Sequence, residues 1–134
     1  MLTFIDSNVL IAAATGKGKH APRAYTILND PAREFASSPF VRLEIVPKAV
    51  FHKQNLQVTF YEAFFRTVRQ WMDDCDAVVA EAEKVGSQLG LNMGDALHIA
   101  AALMGNADEF VTAERPTSPF SNVRGINVIS IYTP

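Results

Sequence analysis

Four acidic residues carry the chemistry that this chain could perform. Asp6 follows Thr3-Phe4-Ile5, a short apolar β-type run, and precedes the helix-compatible stretch Ser7 to Ala14. It therefore stands where a strand stops and a helix starts, at the carboxyl edge of an open parallel sheet, where sites form. A carboxylate is costly to bury there unless something neutralises it, and a metal ion is the commonest remedy. Taken alone, Asp6 is explained equally well as a helix cap that satisfies the helix N-terminus. The other three acids bear on that choice. Glu114 comes two residues after Thr112, again past a strand end; Glu44 lies among Val41, Leu43, Ile45 and Val46; Asp95 opens a nearly all-apolar helix. Each has an ordinary explanation singly, an exposed helical glutamate in the case of Glu44. Together they describe an oxygen-lined pocket suited to Mg²⁺ or Mn²⁺. Carboxylates packed without a cation raise one another's pKa, and a divalent ion removes that penalty. One or two such ions suit phosphodiester hydrolysis, because they activate water and stabilise the leaving oxygen.

Other residues of these types fit less well. His98 lies three residues after Asp95 on the same side of its helix, where it could relay a proton; a satisfied core histidine is the preferred reading, so it is left out of the site. Gly16-Lys17-Gly18-Lys19 lacks the glycine spacing, the closing Lys-Ser/Thr pair and the preceding strand of a phosphate-binding loop. Asp73-Asp74-Cys75-Asp76 has neither the glycine turn nor the terminal glutamate of a calcium loop, and acidic residues at a helix start account for it. Two basic groups, Lys17, Lys19, His20 and Arg23, then Arg42, Lys48, His52 and Lys53, read as solvated faces that could also hold a phosphate backbone. Lys48 and Arg115 are near enough to the acids to steady such a backbone.

Stepping from these residues to their supports, 134 residues suffice for one domain with a real core, residues 1–134. An apolar share of 49% against 19% charged residues excludes a disordered chain, and the net charge of −2 shows no global basic surface. Cys75 is the only cysteine, which excludes an internal disulfide and a cysteine-based zinc site. No apolar run reaches a membrane span, and no secretory leader is read at the start, so a cytoplasmic protein is expected. Strands are expected at Thr3–Ile5, Glu34–Ser37, Val68–Met72, Glu109–Thr112 and Gly125–Ile131. Between them, helices are expected from Ser7, over Pro22–Asn29, from Pro39 with a kink or end at Pro47, over Leu56–Arg69, over Asp76–Leu89 ending at Gly90, and over Asp95–Met104. Phe60, Tyr61, Phe64 and Phe65 line one face at i, i+4 spacing, as core or as a dimer surface. Helices alternating with strands argue for a parallel α/β/α sandwich.

In order along the chain, the strand-Asp-Ser-Asn opening, the helical Glu44, the Gly-Asp-Ala-Leu-His-Ile-Ala-Ala-Ala-Leu helix and the Phe-Val-Thr-x-acid strand resemble a PIN domain, over essentially the whole length. The resemblance implies a central sheet of about five mainly parallel strands and a metal-dependent ribonuclease cleft using Mg²⁺ or Mn²⁺. It also implies an RNA substrate and, for many single-domain members, dimerisation and a toxin role opposite an antitoxin protein. By position, Asp6, Glu44 and Asp95 match the three acidic metal-site residues. Glu114 takes the place of a fourth, usually aspartate, and its longer arm changes where a second ion could sit. Ser7 and Asn8 match the family's Ser/Thr and Asn, and with Thr112 should hydrogen-bond the turn and orient the ligands from behind. Two alternatives stand beside the nuclease: a catalytically silent PIN-like binding module, and a receiver or other flavodoxin-like domain.

Overall fold

The structure is a computed structural model and describes all residues, 1–134. Its elements are β1 (Leu2–Ile5), α1 (Ser7–Thr15), α2 (Ala21–Leu28), β2 (Glu34–Ser37), α3 (Pro39–Phe51), α4 (Asn55–Thr67), β3 (Gln70–Trp71), α5 (Cys75–Leu89), α6 (Met93–Met104), β4 (Glu109–Thr112) and β5 (Asn127–Ser130), with a 3₁₀ turn at Pro119–Asn122. The sheet runs β3-β2-β1-β4-β5, and every pairing is parallel. β1 and β4 are buried nearly throughout because helices cover both faces, which explains their apolar Thr-Phe-Ile and Phe-Val-Thr sequences. Phe4, Phe110 and Phe120 stack in series through this centre, with ring centroids 5.8 and 5.3 Å apart.

From β1 the chain steps outward to β2 and β3, then crosses back to β4 and β5. Right-handed crossovers consequently place α1 to α4 on one face and α5, α6 and the 3₁₀ turn on the other. The direction of travel reverses between β1 and β4, so the crevice beyond their carboxyl ends is the topological switch point. A flavodoxin-like sheet has the order 2-1-3-4-5. The observed order excludes that alternative.

Several boundaries differ from expectation. α3 continues through Pro47 to Phe51. Pro47 and Leu43, one turn before it, are both exposed, so the unpaired carbonyl and the ring face water rather than packed neighbours. α6 begins at Met93, two residues before Asp95, because Asn92 caps it by accepting a hydrogen bond from the Asp95 N–H at 2.9 Å. β3 and β5 are shorter than the apolar runs containing them, and the stiff loop with Pro116 and Pro119 holds the 3₁₀ turn. The aromatic face of α4 is core: Tyr61 and Phe64 are buried, and Phe64 packs on Phe35 at 5.6 Å. No helix is long and apolar enough to cross a membrane.

At the amino edge of the sheet, Glu109 is 2% exposed, accepts a hydrogen bond from Thr3 Oγ1 and pairs with the Arg33 guanidinium, which also reaches Asp30. Its hydrogen bond with Glu109 holds the Arg33 pKa above its ordinary value. This buried carboxylate has its cation.

Candidate active site

Asp6 has none. One residue past β1, its N–H donates to the Val111 carbonyl at 2.9 Å, which extends the β1–β4 ladder by one step and sets Asp6 level with Thr112. Its side chain is 3% exposed. Oδ1 accepts from the Ser7 N–H at 2.8 Å and Oδ2 from the Thr112 hydroxyl at 2.7 Å. The helix-cap reading and the site reading therefore describe the same carboxylate. Burial pushes its pKa from 3.8 to about 6, with the nearby Asp95 charge adding to the rise, while His98 and the Thr112 hydrogen bond oppose it.

The residues behind Asp6 interlock. The Thr112 hydroxyl, while donating to Asp6, accepts from Asn8 Nδ2 at 3.5 Å and from the Glu114 N–H at 3.1 Å. Asn8 Oδ1 accepts from the Ala113 N–H at 3.0 Å. Asn8 and Thr112 thus tie the start of α1 to the loop after β4. Ser7 turns the other way, with its Oγ 3.2 Å from His98 Nε2.

His98 is the residue that the sequence reading left out. It is buried, but it is not a satisfied core histidine: Nε2 lies 3.3 Å from Glu44 Oε2 as well as beside Ser7, and Nδ1 has no partner. A carboxylate opposite Nε2 requires the proton there, so His98 donates toward Glu44. The signal was available, since a lone polar side chain on a helix buried all round must find a partner across an element boundary.

Glu44 reaches the site from the exposed side of α3, and the His98 hydrogen bond holds its pKa below the ordinary value, with Ser7 adding to the effect. A Cβ on Gly94 would stand 3.1 Å from Glu44 Oε2, so the glycine in the first turn of α6 leaves the carboxylate its room. Asp95, half-buried on the same turn, has a raised pKa, first through burial, then through the charges of Glu114 and Glu44. Glu114 itself is exposed.

Thus all four predicted acids lie at the switch-point edge, where the charge of Asp95 bears on Asp6 and those of Glu114 and Glu44 bear on Asp95, and none pairs with a lysine or arginine. As the side chains stand, no three are gathered closely enough to enclose an ion. The donor set of carboxylate oxygens, one of them buried with its pKa raised to about 6 by that burial, is of the kind that suits a hard divalent metal. Of the four, Asp6, Asp95 and Glu44 are the ones that could serve as ligands to such an ion.

Comparisons with known proteins agree with this fold. No curated protein matches the chain in sequence. Among solved structures, VapBC2 from Rickettsia felis, bound to a DNA fragment from its promoter, superposes with a TM-score of 0.71 at 15% identity over 96% of this chain and 97% of that one. A toxin–antitoxin complex from Klebsiella pneumoniae gives 0.71 at 19% identity over 98% and 99%. VapBC-1 from nontypeable Haemophilus influenzae gives 0.68 at 15% identity over 98% of both. The PIN domain family model matches residues 3–121. With that match spanning both edges of the switch-point crevice, the chain belongs to the PIN-domain family.

Proposed function

We propose that the protein is a Mg²⁺- or Mn²⁺-dependent ribonuclease and the toxin of a toxin–antitoxin pair. The observation that carries the reading is Asp6, an ionisable group buried at the switch point beside Asp95 with no lysine or arginine partner. Family membership and the toxin–antitoxin complexes among its structural neighbours support it.

Asp6, Asp95 and Glu44 would hold the ion, directly or through water. When bound, the ion supplies a Lewis acid that activates water and offsets charge developing on the scissile phosphate. The protein's own part is positional. Ser7 and Thr112 fix both oxygens of Asp6 through the Ser7 N–H and the Thr112 hydroxyl. His98 keeps Glu44 ionised and turned inward. Glu114 adds negative charge at the exposed rim beside Asp95.

An antitoxin partner, a homodimer and a cytoplasmic setting belong to the same reading. A silent PIN-like module is the second reading, favoured by the ungathered acids and by glutamate at position 114. Calorimetric titration with Mn²⁺ separates the two, since a silent module shows no heat at millimolar ion. The direct test is cleavage of single-stranded RNA with Mn²⁺ by wild type and by Asp6→Ala. A loss of at least about 10²-fold is expected; equal rates would remove the metal-site assignment.

A further inference from the structure

A groove of about 380 Å³ opens beside Glu44 and runs away from the acids between α1, α3 and α4. Its polar lining includes Lys17, Lys48, His52, Gln54 and Gln57, and Glu44 is the only acid on its wall. Glu44 and Lys48 on α3 and His52 just past its end follow one another at four-residue spacing, so they form a row with steps of about 6 Å, about 12 Å overall. That step is close to the separation of neighbouring phosphates along an extended strand. Lys17 faces the row from the turn after α1, and neither lysine makes an ion pair. At the far end Gln54, the residue before α4, supplies no side-chain cap, and no acidic residue stands in the first turn, which leaves the positive end of the helix dipole uncompensated.

Three of the arginines outside the groove are held by aromatic or backbone partners. Arg42 pairs with Glu62 and lies over Phe65, Arg115 lies over the Tyr132 ring, and Arg23 donates to the Tyr132 carbonyl. The groove therefore joins the two basic groups of the sequence, Lys17 from the first with Lys48 and His52 from the second, and it does so in an acidic protein.

Resting on the ribonuclease reading, we infer that this groove carries the backbone of single-stranded RNA on one side of the scissile bond. Lys48 and Lys17 contact the first phosphates beyond the acids, and His52 with the start of α4 meets the next. Contacts of this kind are to phosphate, so they position RNA without selecting sequence.

The test is binding of a fluorescent single-stranded oligoribonucleotide in EDTA across a salt series, with cleavage in Mn²⁺ measured on the same proteins. Lys17→Gln with Lys48→Gln should weaken binding at least tenfold at low salt, reduce the salt slope by about 1.4 (about 0.7 per phosphate contact) and raise KM for several RNA sequences alike. Lys84→Gln removes one positive charge from α5 on the other face and should leave the slope unchanged. If wild type cleaves RNA and the double variant keeps its affinity and slope, the groove assignment is overturned while the ribonuclease reading stands. Should wild type neither bind nor cleave RNA, both fall.

Discussion

Asp6 and Glu109 are both carboxylates buried to within a few per cent, at opposite edges of one sheet, and they behave oppositely. Glu109 has Arg33 and a threonine hydroxyl; Asp6 has only neutral donors and the nearby imidazole. Because its folded pKa, about 6, lies above the unfolded value of 3.8, the contribution of Asp6 to the stability of the metal-free fold is full below about pH 4 and is lost as pH rises through 6. The loss is on the order of 3 kcal/mol. Asp6→Asn should accordingly leave the metal-free protein as stable as wild type or more stable at pH 8 while removing cleavage, as denaturant unfolding at pH 5 and pH 8 would show. A variant several kcal/mol less stable at pH 8 would mean that the negative charge is compensated inside the fold. The position of Asp6 was legible in the sequence, since a strand-to-helix junction is a local pattern. For His98 the sequence showed only that a polar side chain on a buried helix needs a partner, not which partner. Its partners Ser7 and Glu44 lie 91 and 54 residues away in the chain, and only the folded sheet brings them together. His98→Gln should lower the rate at least about tenfold by releasing Glu44, and a rate within twofold of wild type would leave His98 a packing residue only.

At the scale of elements, short strands of four residues were readable because β2 and β4 coincide with apolar runs bounded by turn residues. Helix starts and interruptions were harder to read. Pro47 is tolerated because its face of α3 is solvated, a property of the fold and not of the local pattern. Gly94 belongs to α6 because Asn92 supplies the cap, and its missing side chain serves Glu44 rather than the helix. Gly94→Ala should then stabilise the metal-free domain by up to about 1 kcal/mol through helix propensity and weaken Mn²⁺ binding, with thermal unfolding and calorimetry reading the two effects separately. Loss of stability together with unchanged Mn²⁺ affinity would contradict this use of the glycine. The buried pair at the amino edge makes a further contrast. Arg33→Ala should cost about 3–5 kcal/mol by stranding Glu109, whereas Arg69→Ala, which breaks an exposed pair with Glu34, should stay within about 0.5 kcal/mol. Equal losses in urea unfolding would show that Glu109 finds other compensation.

For the molecule as a whole, strand order is what turns scattered acids into one site. The reversal between β1 and β4 brings Asp6 and Glu114 to adjoining strand ends, and the crossover through α5 and α6 returns Asp95 to the same edge. Sandwich architecture followed from the alternation of helices and strands, but the order 3-2-1-4-5 could not be read from it. The pairing that fixes this order is made between segments about a hundred residues apart. That these acids await a divalent cation can be read from thermal unfolding at pH 7.5 across a Mn²⁺ series. Wild type should gain about 2.7 kcal/mol at a hundredfold excess over Kd, roughly 10 °C in Tm, and Asp6→Asn should gain almost nothing. The same rise in both proteins, or none in either, would contradict it.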